Sequence, residues 1–151
     1  RDAYGYFSRA QLTQDLSCVT AACLILRKEI FDEVGGLDAE HLAVAFNDVD
    51  FCLRIREKGY LVVWTPFAEL YHLESASRGP DTAPDKVKRF NGEIAYMQER
   101  WGDSLLEDPY YNPNLTLDAE NFGLAFPPRT VKPWLRKACP ELRKERLKES
   151  I

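Results

Sequence analysis

Two carboxylates, Asp48 and Asp50, open the stretch Phe46-Asn47-Asp48-Val49-Asp50-Phe51-Cys52-Leu53-Arg54, and His72, one of two histidines, ends the apolar run that follows. A carboxylate in the first turn of a helix is held ionised by the helix dipole and the free N–H groups there. Such a group can take the proton from an attacking hydroxyl. An imidazole at a sheet rim is a good ligand for a hard or borderline divalent ion. The plainer alternatives are that Asn47 or Asp48 caps the helix, that Asp50 pairs with Arg54 one turn on, and that His72 is a hydrogen-bonded structural residue. Glu74, Ser75, Ser77 and Arg78 follow His72 in a glycine-containing loop. There a guanidinium suits bidentate contact with a diphosphate, and hydroxyls suit sugar or phosphate oxygens.

Other residues invite a similar choice. The pair Gly35-Gly36 lets backbone approach a ligand closely, with Asp38 available to sugar hydroxyls, or it simply caps a helix. Trp101, Tyr110 and Tyr111 form either a stacking platform for a sugar ring or part of the packing. His41 stands in a polar loop with no partner in sequence, and no role is assigned to it.

The elements that must position these residues are short. Residues 1–15 read as a loop or lid. The apolar run Cys18–Leu26 has the length of a buried strand. Lys28–Val34 predicts a helix stopped by Gly35-Gly36, and residues 37–44 a loop. The next helix carries two stripes, Val49/Leu53/Arg56 and Phe51/Ile55/Lys58, with Gly59 at its C-cap. Tyr60–Thr65 predicts a strand that Pro66 interrupts and Ala68–Tyr71 resumes. Ser75–Pro84 has loop composition. Lys86–Arg100 returns to helical spacing through Phe90, Ile94 and Met97, with Gly102 expected to end it. A turn-rich stretch spans 108–114, Pro127-Pro128 breaks the chain, and Trp134–Lys148 predicts a charged terminal helix. The class is α/β with few strands, and no glycine-rich phosphate loop is present.

Composition narrows the function. The 151 residues are 45% hydrophobic, enough for a core, and carry a net charge of −4. That balance argues against a nucleic-acid partner. Charge is uneven, since eight Lys/Arg face three Glu from Arg129 onward. This tail reads as a solvated helix or as a segment attracted to an anionic membrane surface. The four cysteines show no C-x-x-C spacing and read as small reduced core residues of a cytoplasmic protein. The sequon Asn114-Leu115-Thr116 has no meaning in that setting. No signal peptide or membrane-length apolar run is visible.

Taken in order, these pieces resemble the C-terminal half of a family 2 glycosyltransferase of the GT-A fold. They are Val19–Phe31, Gly35-Gly36-Leu37-Asp38, Asn47–Arg54, Gly59-Tyr60 and Tyr71-His72. Two more, Glu74–Gly79 and Asp108–Leu115, resemble bacterial members that build O-antigen and related polysaccharides. The resemblance covers residues 1–126, the acceptor-side part of a GT-A domain, with 127–151 as a basic helical extension. It implies that Asp48 is the catalytic base of an inverting transfer from a nucleotide-diphospho-sugar to a saccharide or lipid-linked acceptor. Asn47 stands where the family commonly has the first acid of a pair. Gly35, Gly36, Asp38, Asn47, Asp50 and Trp101 are implied on the acceptor side. Arg78, Ser75 and Ser77 are inferred at the donor diphosphate, and His72 is implied at a divalent ion, Mg2+ or Mn2+. The donor half with its Asp-x-Asp motif is expected before Arg1, so the chain reads as a fragment that is inactive alone. Its N-terminal half is then a partner, self-association through uncovered apolar surface is a second, and peripheral contact at the inner face of the membrane a third.

Two rivals stay open. A metal-dependent hydrolase or phosphotransferase would use Asp48, Asp50 and His72. A non-catalytic carbohydrate-binding module would use Trp101, Tyr110 and Tyr111 without nucleotide or metal.

Overall fold

Helix α2 (Asn47–Glu57) is the axis of the fold because the apolar positions of both its stripes are covered. One stripe places Leu53 with Leu42, Met97 and Trp101, joined by half-buried Phe46, Val49 and Tyr96. The other packs Phe51, Cys52 and Ile55 with Val62, edged by Val19, Leu24, Leu26, Ile30 and Val34. Leu42 and Cys52 are wholly buried and Phe51 nearly so. Burial of a large apolar side chain contributes about 1.5–3 kcal/mol. The structure is a computed structural model that describes residues 4–71 and 83–130. His72, Ser75, Ser77, Arg78 and the tail from 131 onward lie outside the described residues.

Helix α1 (Lys28–Glu33) and α2 end in the same way. After α1, the N–H groups of Gly35 and Gly36 donate to the carbonyls of Asp32 and Phe31. After α2, those of Gly59 and Tyr60 donate to Arg56 and Ile55. This is the Schellman pattern, and it needs the left-handed φ of 80° at Gly35 and 84° at Gly59. The expected glycine stops are therefore present at both helices.

Strands β1 (Gln14–Leu16) and β2 (Val62–Trp64) pair antiparallel, with Gln14 opposite Trp64 and Leu16 opposite Val62. The strand expected over Cys18–Leu26 is not formed. Thr20 accepts a hydrogen bond from the Ala22 N–H and turns the chain through a short 3₁₀ segment, Ala21–Cys23. With no neighbouring strand, the run instead lays Val19, Leu24 and Leu26 onto α2 and leaves Ile25 exposed. β1 falls in the segment expected to be loop. The resumed strand at Ala68–Tyr71 is also missing, and Tyr71 is exposed.

Helix α3 (Pro84–Leu106) starts on a proline, whose fixed φ suits the first turn. It runs through Gly102 rather than stopping there. A glycine costs a helix only about 1 kcal/mol, and burial of Trp101 beside it outweighs that. Among the described residues no helix is long and apolar enough to cross a membrane. The chain divides into two compact units after Tyr110. In the second, Leu115 pairs with Leu124 as an isolated antiparallel bridge, and the Tyr111 hydroxyl donates to the Thr116 carbonyl.

Candidate functional site

The first turn of α2 is held from both sides. Phe46, just before it, adopts a left-handed conformation (φ 61°) that is uncommon for a bulky residue. Its ring stacks on Phe90 of α3 with centroids 5.6 Å apart. The buried Glu93 carboxylate accepts the Val44 N–H at 2.9 Å and the Ala45 N–H at 3.2 Å. These contacts over-determine the approach to Asn47 and Asp48, which is how a residue persists in a strained conformation.

Asp48 and Asp50 then part company. Successive α-helical residues turn by about 100°, so two carboxylates two positions apart face nearly opposite ways. Asp48 is half-buried. Its Oδ1 accepts the Val49 N–H at 2.9 Å and its Oδ2 the Ala21 N–H at 3.1 Å. The capping role expected of Asn47 or Asp48 takes a different form, because no side chain caps the helix from Phe46 and Asp48 already lies inside the first turn.

Asp50 is fully buried. Its Oδ2 accepts Arg54 Nε at 2.7 Å and its Oδ1 accepts Trp101 Nε1 at 2.8 Å. Arg100 Nε stands 3.5 Å from Oδ1 and its guanidinium lies over the Trp101 ring. Arg54 also donates to the Val34 carbonyl, tying α1 to α2. Asp50 and Trp101, both expected on the acceptor side, are thus corrected to a buried hydrogen-bonded core pair. The pairing of Asp50 with Arg54 one turn on is present. Neither residue offers a face to a ligand, which removes Asp50 as a hydrolase ligand and Trp101 from a sugar platform.

The remaining platform residues also have structural contacts. Arg56 lies over the Tyr110 ring at 5.1 Å and donates to Ser17 Oγ, which donates to Asp108. Tyr111, in the second unit, packs against Phe122. Gly36 is buried, and a Cβ there would stand 2.9 Å from the Phe31 ring, so this glycine is required by packing. Gly35 has open space around its Cα.

Asp38 has gathered what the sequence did not show. It accepts the backbone N–H groups of Glu40 and His41, with the His41 bond at 2.9 Å, and the Tyr96 hydroxyl at 3.0 Å. These bonds, the His41 N–H above all, hold its carboxyl down at about 2. His41 Nδ1 lies 3.0 Å from Asp38 Oδ2, and its ring stacks on Tyr96 with centroids 4.6 Å apart and planes 6° from parallel. Arg100 donates to the Tyr96 hydroxyl. Together His41 and Tyr96 line an open cavity of about 550 Å³ with Glu40, Asp85, Lys88 and Arg89. His41, given no role from sequence, is thereby at a ligand-sized groove. The signal that could have found it was the Asp38-x-x-His41 spacing, one turn apart.

Cys18 and Cys52 are poorly reactive thiols, whereas Cys23, expected in the core, is exposed. Burial raises Cys18 to about 11 and raises Cys52 as well, and Cys52 Sγ points at the Val19 carbonyl at 3.8 Å. Among the described residues no three His, Cys, Asp or Glu side chains stand together as a metal site.

No protein-family model and no solved structure matches the chain. It is 54% identical over 123 residues (82% of its length) to an uncharacterized protein, y4gI, of Sinorhizobium fredii. It is 40% identical over 118 residues (78%) to the O-antigen biosynthesis protein RfbC of Myxococcus xanthus. It is 30% identical over 82 residues (54%) to an N-acetylglucosaminyl-diphospho-decaprenol L-rhamnosyltransferase of Mycobacterium tuberculosis. The chain spans only 14%, 9% and 26% of these relatives in turn. The similarity is to glycosyltransferase-like proteins, and the α-helices with a small sheet are consistent with part of an α/β transferase.

Proposed function

We propose that the chain is the acceptor-side part of a family 2, GT-A-type glycosyltransferase acting in O-antigen or related cell-surface polysaccharide synthesis. It serves transfer from a nucleotide-diphospho-sugar to a saccharide or lipid-linked acceptor, with inversion and with Asp48 as general base. The observation that carries this reading is the 40% identity over 118 residues to an O-antigen biosynthesis protein.

The geometry at Asp48 supports it. Each oxygen accepts one backbone N–H, which fixes the carboxylate and leaves a lone pair on each for a substrate proton. The strained Phe46 two residues before it is the kind of feature that gathers at functional sites. In the step proposed, Asp48 takes the proton of the acceptor hydroxyl, whose oxygen attacks the anomeric carbon. The carbon–oxygen bond to the donor diphosphate breaks, and the diphosphate leaves with the electron pair. The described residues do not by themselves fit a divalent ion. Mg2+ or Mn2+ at His72, and diphosphate contacts from Arg78, Ser75 and Ser77, enter on the resemblance alone. So do a cytoplasmic setting and membrane contact through the basic tail.

General-base assistance is worth about 10²–10⁴-fold. Asp48→Asn in the full-length protein keeps an oxygen for one backbone N–H and should lower kcat by that factor in a sugar-transfer assay, with donor KM and the unfolding midpoint little changed. Near-full transfer by Asp48→Asn would refute the base assignment.

A further inference from the structure

We propose that the groove between the loop at 38–43 and the first half of α3 binds a neutral saccharide, with His41 Nε2 accepting a hydrogen bond from a sugar hydroxyl. This rests on the glycosyltransferase reading only for the ligand's role as acceptor, since the binding argument is independent of it.

Four observations point this way. First, the groove's volume of about 550 Å³ lies within the range of small-molecule sites. Second, the tautomer of His41 is set. The ionised Asp38 carboxylate, 3.0 Å from Nδ1, can only accept, so Nδ1 carries a proton, and in the neutral ring Nε2 is the nitrogen with the lone pair. Asp38 is itself anchored by two backbone N–H groups and the Tyr96 hydroxyl, so it cannot swing away to serve the ligand directly. Third, the imidazole is half-exposed and rigid, pinned by its parallel stack on Tyr96. A fixed acceptor loses little entropy on binding.

Fourth, the charges around the groove nearly cancel. Lys88 and Arg89 line it together with Glu40, Asp85 and Glu93, and Glu93 stands 3.7 Å from Arg89 Nε. A phosphate or diphosphate site would need a surplus of cations and N–H donors. A polyhydroxyl ligand, which both donates and accepts, suits mixed charge. Ala43 and Gly92 add apolar lining against which the C–H face of a pyranose can rest. Lys88, exposed on α3 and lining the same cavity as His41, supplies a donor.

The test is an NMR titration of the protein with methyl N-acetyl-glucosaminide and methyl rhamnoside, with inorganic phosphate as the competing chemistry. The proposal expects one or both pyranosides to shift the His41 ring and Tyr96 signals saturably, and phosphate to leave them in place. His41→Phe keeps the aromatic stack and removes both nitrogens. It should weaken pyranoside binding about fivefold, the loss of one hydrogen bond. Lys88→Ala, on an exposed helical surface, should weaken binding without touching the fold. Saturable phosphate binding with no pyranoside effect, or unchanged pyranoside affinity in both variants, overturns the proposal. A transfer assay run beside it separates the two readings. Sugar transfer with an acceptor KM unaffected in both variants sinks the groove and leaves the transferase standing. Pyranoside binding lost in His41→Phe, where the full-length protein transfers no sugar, does the reverse.

Discussion

Replacing Asp50 tests whether the second carboxylate of α2 is structural. The side chain is fully buried and accepts two hydrogen bonds, from Arg54 Nε at 2.7 Å and Trp101 Nε1 at 2.8 Å. In Asp50→Ala the Arg54 guanidinium, only 12% exposed, loses its counter-charge, and breaking such a pair from one side costs about 3–5 kcal/mol. The orphaned indole N–H adds about 1–3 kcal/mol. The two losses share a site and do not add fully, so about 4–6 kcal/mol is expected. A typical domain has only about 5–15 kcal/mol in all. Asp50→Asn keeps one acceptor oxygen and should cost about 2–3 kcal/mol. Urea unfolding followed by tryptophan fluorescence and far-ultraviolet circular dichroism would measure both, with the slope checked for constancy. Combining Asp50→Asn with Trp101→Phe should cost less than the sum of the two, because the second change removes a donor the first has already stranded. If Asp50→Ala unfolds within about 1 kcal/mol of the parent, or the cycle shows no coupling, the core pair is not holding α2 to α3 and the assignment of Asp50 fails.

Two further outcomes follow from packing and burial. Gly35→Ala should cost about 1–2 kcal/mol, since φ is 80° but no atom lies near the added Cβ, whereas Gly36→Ala meets the Phe31 ring at 2.9 Å and should cost about 1–3 kcal/mol more. Equal unfolding midpoints for the two variants would contradict this. Alkylation mapped by mass spectrometry at pH 8 should modify exposed Cys23 well before Cys18 and Cys52. Burial raises both of those thiols, so little thiolate forms at that pH, and for Cys18 its share should grow only as pH rises toward about 11. Cys18 reacting as fast as Cys23 would overturn the reading of a closed second core cluster.

What the sequence showed plainly was whatever depends on neighbours along the chain. Both glycine stops, the start of α2 and its two apolar stripes follow from local pattern, and the structure uses them as expected. What it hid depends on distant partners. Cys18–Leu26 has strand composition, but a strand needs an edge to pair with, and a threonine-capped turn onto α2 satisfies the same side chains without one. Trp101 has the makings of a sugar platform until Asp50, 51 residues away, is seen to accept its N–H. His41 looked isolated because its stacking partner, Tyr96, comes from another helix.

The two carboxylates of α2 show why adjacent acids can do unlike things without any difference in residue type. The helical turn sends Asp50 into the space shared with α3, where only a paired charge is tolerated, and cations from both helices meet it. The same turn leaves Asp48 at the edge, bound by backbone N–H groups from its own helix and from the 3₁₀ segment before α1. A buried acid fixed by Arg54 and Trp101 makes α2 and α3 one rigid pair, and that rigidity sets the position of Asp48. It also sets the groove at His41, since Glu93 and Tyr96 on α3 bind the loop on either side of it. Loosening Asp50 should therefore disturb both the proposed base and the proposed saccharide groove, although Asp50 touches neither.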